Sequence, residues 1–227
     1  MTRGVFITGT DTGVGKTVAA CALIHALKAK GVAAHPFKPV AAGAVERRGR
    51  WINEDTLALL DAAGLDESVA ERVTPVLLRE PMAPHIAACR EGRAISLDAI
   101  RSALDRIAPS FVVAEGVGGF MVPLGDGVDS VDPCRVLGLP VVLVVGIRLG
   151  CLNHALLTAR AINAARLPFA GWIANAIDPA MAAADENVAA LQSRLEAPLL
   201  GRLPHGPCPD SRDLARLLDV TAFVRSA

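Results

Sequence analysis

Short apolar runs alternate along the chain with segments whose apolar positions recur at helical spacing. Residues 4–8 (GVFIT) predict a strand. Residues 16–30 place Val18, Cys21, Ala22, Ile24, His25 and Leu27 along one side of a helix, and Gly31 supplies its stop. A second strand is predicted over 33–40 and a short helix over 55–63. Ser96 reads as the N-cap of a helix running to about residue 107, with Asp98 in its first turn. Residues 111–115 (FVVAE) predict a strand that ends on an acid. Residues 140–146 (PVVLVVG) are the most apolar run, as expected of a central parallel strand covered on both faces. A helix over 153–165, a strand over 169–175, a helix over 180–195, a short strand over 198–203 and a helix over 210–218 complete the pattern.

This rhythm predicts an α/β fold, a mostly parallel central sheet with helices on both faces and right-handed crossovers. No repeat, low-complexity stretch or linker divides the sequence, so 1–227 is expected to be a single domain. Ligands of such sheets sit at the carboxyl ends of the strands. That rule directs attention to the residues that follow each predicted strand.

The first strand runs into Gly9-Thr10-Asp11-Thr12-Gly13-Val14-Gly15-Lys16-Thr17 and then a helix. Gly15-Lys16-Thr17 matches the end of a Walker A phosphate loop, although Gly9 and Gly15 are separated by five residues rather than the usual four. A strand–loop–helix turn of this kind aims backbone N–H groups and the positive helix end at phosphates. Lys16 can reach the β- and γ-phosphates, and the Thr17 hydroxyl can ligate Mg²⁺. The P-loop fold is therefore the particular α/β architecture expected.

Mg²⁺ bound to phosphates needs one or two carboxylates as well. Asp55, at the start of a helix, and Glu115, at the end of a strand, are the candidates; Glu115 is followed by the glycine-rich Gly116-Val117-Gly118-Gly119. Lys38 follows the second strand in Lys38-Pro39-Val40 and could neutralise charge during phosphoryl transfer or hold an anionic substrate.

Composition narrows the partners. Twenty-three basic residues balance 23 acidic ones, so nothing in the net charge favours nucleic acid or an anionic membrane. No run approaches the roughly 20 apolar residues that span a bilayer. With no signal-peptide pattern at Met1-Thr2-Arg3-Gly4, the expectation is a cytoplasmic protein. The five cysteines, Cys21, Cys89, Cys134, Cys151 and Cys208, form no C-x-x-C pair and predict neither a disulfide framework nor a zinc site.

Several separated motifs together resemble the dethiobiotin synthetase family: the phosphate loop, Lys38-Pro39-Val40, Pro84-His85-Ile86, Glu115-Gly116 with Gly118-Gly119, Leu149-Gly150-Cys151-Leu152-Asn153-His154, residues 170–175 (AGWIAN), and Pro198-Leu199-Leu200-Gly201 with Pro204. The resemblance weakens after about residue 205. It implies an ATP- and Mg²⁺-dependent ligase that carboxylates 7,8-diaminopelargonic acid with CO₂, phosphorylates the carbamate and closes the ureido ring, giving dethiobiotin, ADP and phosphate. It implies that Lys16, Lys38 and Thr12 act at the γ-phosphate and carbamate, and that Thr17, Asp55 and Glu115 hold Mg²⁺. ATP would be bound by Gly13, Val14, Gly15, Lys16, Thr17, Val18, Asp55, Glu115, Gly116, Val117 and Gly118, with Asn175 at the adenine edge and Pro204, His205 and Gly206 lining the base pocket. The substrate would meet Ala42 and, across a homodimer interface, Gly150, Cys151, Leu152 and Asn153. Two positions depart from the family: Ala42 stands where serine is common, and Gly13 where some relatives carry glutamate. The competing class is a nucleotide-dependent switch or partitioning ATPase. Such proteins often carry an extra lysine early in the loop, whereas Lys16 is the only lysine between Gly9 and Thr17.

Overall fold

The computed structural model describes residues 3–107, 111–206 and 210–224. Cys208 lies outside them. In chain order the elements are β1 (Arg3–Gly9), α1 (Lys16–Ala29), β2 (Ala34–Phe37), β3 (Val40–Ala42), β4 (Ala44–Arg47), β5 (Arg50–Asn53), α2 (Glu54–Ala63), α3 (Ala70–Val73), β6 (Val76–Leu78), α4 (Pro84–Arg90), α5 (Leu97–Asp105) and β7 (Phe111–Glu115). They continue with β8 (Pro123–Gly125), β9 (Val128–Asp129), α6 (Val131–Leu137), β10 (Val141–Ile147), α7 (Cys151–Ala164), β11 (Phe169–Ala176), α8 (Ala184–Gln192), β12 (Leu199–Leu203), α9 (Ser211–Ala215) and α10 (Thr221–Val224).

Six strands make one sheet in the order β12-β11-β10-β1-β7-β2, and every neighbouring pair is parallel. Successive residues of its strands feed opposite faces, as the two-residue period of a strand requires. Phe6, Val112, Leu143 and Trp172 join one buried cluster, with Ile100 and Leu104 of α5, Ile162 of α7 and Leu191 of α8. Val5, Ile7, Val113, Val142, Val144 and Ile173 join the other, with Leu23 and Leu27 of α1, Leu59 of α2 and Leu214 of α9. The sheet is thus covered on both faces, and the run predicted as its central strand, β10, is buried along its whole length.

β1 stands between β7 and β10, and the rest of the sheet grows outward from it in both directions. That arrangement opens a crevice at the carboxyl end of β1, where ligands of open α/β sheets bind. The phosphate loop fills it.

Several predicted boundaries move. The strand expected over 33–40 breaks after Phe37, because the Lys38 N–H turns away to Val73 O (2.8 Å) and Pro39 has no N–H to donate. Val40–Ala42 then pairs with β6 in a separate two-stranded sheet. The helix expected over 180–195 begins only at Ala184, since Asp178 first holds a turn through Ala180 N and Met181 N. The helix expected over 210–218 stops at Ala215, because Leu218 bridges to Gly201 and Asp219 N bonds to Leu200 O (2.7 Å). In the other direction, α7 starts two residues earlier than predicted, at Cys151. The β4–β5 and β8–β9 hairpins were not foreseen.

Candidate functional site

The phosphate loop is shaped by its glycines. Gly13 and Gly15 take φ of 74° and 87°, a region that costs a side-chain-bearing residue about 1–2 kcal/mol. The N-cap of α1 is Gly15, with no side-chain cap, so the first N–H groups of the helix are left for a ligand. The loop is braced from behind by Asn175 at the end of β11, whose Nδ2 donates to Val14 O (2.9 Å). Lys16 is buried and its Nζ donates to Asp11 O (3.0 Å). Burial lowers the pKa of this ammonium, an effect that Glu115 partly opposes.

Beside the loop lies a cluster of one lysine, two carboxylates and a hydroxyl. Lys38 Nζ donates to Glu115 Oε1 (2.7 Å) and pairs with Asp55 Oδ2 (2.8 Å). Thr17 Oγ1 donates to the same Glu115 Oε1 (2.9 Å). Lys38 is 2% exposed and Glu115 1%, while the Asp55 side chain is nearly half exposed. Burial alone would lower the Lys38 pKa, but Glu115 and Asp55 more than reverse this and leave it raised. Burial pushes Asp55 up, and the Lys38 ammonium more than reverses that, leaving it low. Asp55 is aimed by local chemistry: Asn53 caps α2 by accepting from Asp55 N and Thr56 N. The Asn53 amide in turn donates to Ala42 O (3.3 Å) and Gly43 O (3.0 Å), tying α2 to the strand that follows Lys38.

These residues fit a magnesium ion held together with phosphate oxygens. Glu115 Oε2 is buried and has no hydrogen-bond partner among the described residues, which leaves a carboxylate oxygen available beside Thr17 and Asp55. No group of three or more His, Cys, Asp or Glu gathers among the described residues. Two carboxylates and one hydroxyl are the usual protein share where phosphates complete the shell.

The structure thus brings together Lys16, Thr17, Lys38, Asp55 and Glu115. Gly116 continues directly from Glu115, its N–H bonded to Ile7 O (2.9 Å). Gly118 lies so close to the exposed Thr12 that a Cβ there would stand 3.5 Å from its hydroxyl. Val18 and Val117, both half-buried, pack against the clusters on opposite faces of the sheet. Pro204, His205 and Gly206 follow β12, whose Leu203 is in register with Asn175, so they leave the sheet beside it. Ala42 sits half-buried at the end of β3.

Gly150 is the N-cap of α7, with φ 93° and no side-chain cap. Cys151 turns its thiol into the core, and its N–H is used by Arg148 O (3.0 Å). Leu152 and Asn153 keep N–H groups with no partner among the described residues. This segment forms no hydrogen bond with the Lys38 cluster. It is tied instead to the phosphate loop, because Arg148 Nη2 donates to Asp11 Oδ2 (2.7 Å). Sequence reasoning missed Arg148 and Asn53. Arg148 carried one usable signal, its place just after the most apolar strand.

A sheet that reverses its growth at β1, with a glycine loop and Lys-Thr at the start of α1, defines a P-loop nucleotide-binding protein. Comparison with solved structures agrees on the fold. The chloroplast FtsY of Physcomitrella patens aligns with a TM-score of 0.54 at 19% identity over all of this chain, which spans 65% of that one, just under two thirds. The MinC:MinD complex of Aquifex aeolicus gives 0.52 at 16% identity, covering 99% of this chain and 85% of that one. The family model described as AAA domain matches residues 3–209. Two curated relatives are far nearer in sequence, both described as ATP-dependent dethiobiotin synthetase BioD. That of Aromatoleum aromaticum is 52% identical over 218 residues, covering 95% of this chain and 96% of its own. That of Nitrosospira multiformis is 52% identical over 229 residues, covering 100% and 99%. The chain belongs to the ATP-dependent dethiobiotin synthetase family. Among the described residues no helix is long and apolar enough to cross a membrane.

Proposed function

We propose that this chain, as one synthetase domain over 1–227, converts 7,8-diaminopelargonic acid, CO₂ and MgATP to dethiobiotin, ADP and phosphate. The observation that carries the reading is the placement of Lys38 between Asp55 and Glu115, beside the Thr17 hydroxyl at the start of the phosphate-loop helix. Mere nucleotide retention does not need a second buried cation there.

One substrate amine adds to CO₂ and loses a proton, giving a carbamate. A carbamate oxygen attacks the γ-phosphorus and ADP leaves, forming a carbamic–phosphoric anhydride. The neighbouring amine then attacks the carbamate carbon, loses a proton and expels phosphate, closing the ring. Thr17, Asp55 and Glu115 would hold Mg²⁺ together with the phosphates, and the ion would supply charge neutralisation at the phosphate oxygens. The chain's part is positioning and electrostatics. Lys16 holds the β- and γ-phosphates, Lys38 the γ-phosphate and carbamate, and Thr12 lies beside them. Asn175 and Pro204–Gly206 form the base pocket.

The substrate carboxylate is held at the start of α7, by Leu152 and Asn153 N–H groups and the Gly150–Cys151 turn, from a second subunit. Leu149, immediately before that turn, is 93% exposed, which supports a partner chain covering it. Because the serine common in the family is Ala42 here, one hydrogen bond of about 1 kcal/mol is missing from the carbamate side.

The test is ADP release from MgATP and bicarbonate with and without the diamine, with mass analysis of the product. Diamine-dependent release and a product of dethiobiotin mass are expected. ATP binding with no response to the diamine would leave the fold standing and remove the substrate assignment. A second prediction concerns the metal. Asp55→Ala is expected to raise the Mg²⁺ concentration for half-maximal rate about tenfold, a loss of roughly 1.4 kcal/mol. An unchanged Mg²⁺ titration would reduce Asp55 to a helix-start acid and partner of Lys38.

A further inference from the structure

A cavity of about 1000 Å³, with no phosphate-loop residue in its lining, lies among the β4–β5 hairpin, α3, β6 and α5. Its charge is one-sided. Arg50, Arg72, Arg93 and Arg106 line it, against the single acid Glu71. In a chain of zero net charge this is a local concentration of cations. Arg93 is partly engaged, with Nη1 donating to Leu77 O (2.9 Å) and Glu91 Oε2 (3.3 Å). The side chains of Arg72 and Arg106 make no hydrogen bond or ion pair with any described residue. Apart from His35 and a polar floor, the remaining wall is apolar and includes Trp51, whose ring is stacked by Arg79 at 5.0 Å.

The floor is polar, buried and already satisfied. Thr56 and Thr74 share a hydrogen bond (2.7 Å), and Asn53 spends its side chain on capping α2 and holding Ala42 and Gly43. This floor adjoins the reaction cluster. Asn53 precedes Asp55 by two residues, and Thr74 follows Val73, whose carbonyl accepts the Lys38 N–H (2.8 Å). Forked guanidinium groups around an apolar wall suit a ligand that combines a flat organic body with several oxyanions.

We propose that this cavity is a second ligand site, for a small organic molecule bearing two or more carboxylate or phosphate groups. The site is independent of the synthetase reading, since none of its four arginines belongs to the phosphate-loop cluster.

Benzene-1,3,5-tricarboxylate is the probe, titrated into the full chain by calorimetry and by tryptophan emission. Trp172 is fully buried, so the optical signal reports Trp51. Saturable binding with a dissociation constant below about 1 mM is expected. Trp51→Phe should abolish the optical change and keep the heat. The double variant Arg72→Ala/Arg106→Ala alters only exposed side chains and should weaken binding at least tenfold with an unchanged melting temperature. Lys16→Met, which disables the phosphate loop, should leave the affinity as it was. No saturable binding, equal binding by the double arginine variant, or loss of binding in Lys16→Met would each overturn the proposal, the last by placing the anion at the phosphate loop.

Discussion

Replacing Lys38 by alanine is expected to cut turnover about a thousandfold while MgATP still binds. Removing a preorganised group that meets developing charge in a buried site costs roughly 10²–10³ in rate, or about 3–4 kcal/mol of barrier. Lys38 should fall at the upper end, because it is almost fully buried and held on two sides by acids that keep it protonated. Nucleotide binding should persist because the loop N–H groups, Lys16 and Thr17 are untouched. The variant will also be less stable. Without the ammonium, Asp55 and the buried Glu115 face each other uncompensated, and breaking a buried pair costs about 3–5 kcal/mol, with the lower end apt here since Asp55 is half exposed. If Mg²⁺ binds between Asp55 and Glu115 as proposed, it would supply a replacement cation, and the melting temperature lost by the variant should be recovered largely on adding MgATP. Lys38→Met, which keeps the volume, separates charge from packing and should lose the same turnover. Single-turnover ADP formation and nucleotide calorimetry check both halves. Normal turnover in either variant would remove Lys38 from the chemistry.

The sequence carried the parts of this cluster without its geometry. Lys16, Thr17 and Glu115 were readable because each lies at the end of a strand or the start of a helix, where backbone topology alone directs the side chain. Lys38 was readable as a lysine after a strand, but not as the partner of Asp55 and Glu115. Asp55 reaches it only because the chain leaves the main sheet at Pro39, runs through the β4–β5 hairpin and is aimed by the Asn53 cap. That hairpin escaped notice because its strands are four residues each and mostly exposed, so burial imposes little alternation on them. The Asn175 brace and the Arg148–Asp11 pair join residues 161 and 137 apart, and local patterning holds no trace of such contacts. The arginine-lined cavity was invisible for the same reason. Its walls come from several short elements between His35 and Ile107 that no single period unites.

Gly15→Ala is expected to weaken ATP binding about a hundredfold, and Gly13→Ala by less than tenfold, although both glycines have positive φ in one loop. At Gly13 a Cβ would meet nothing within 4 Å, so alanine there bears only the backbone strain of φ 74°, about 1–2 kcal/mol and shared by bound and free protein. At Gly15 the strain at φ 87° is similar, but the Cβ would stand 2.1 Å from Asn175 Nδ2 and 3.2 Å from its Cγ. The amide is buried and cannot swing aside freely. Moving it breaks its bond to Val14 O and strands a buried donor, which costs roughly 1–3 kcal/mol. The alternative is for the loop to move, and then the N–H groups that should meet the phosphates lose their aim just before Lys16. Removing the obstacle should help: Gly15→Ala combined with Asn175→Ala is expected to bind ATP more tightly than Gly15→Ala alone, despite losing both the brace and the proposed Asn175 contact in the base pocket. Calorimetric titration of the four proteins with ATP decides the matter. If Gly13→Ala and Gly15→Ala lose the same affinity, backbone strain explains both and Asn175 does not set the shape of the loop. If only Gly15→Ala collapses and the second substitution recovers part of the loss, the end of β11 holds the phosphate loop in its binding form.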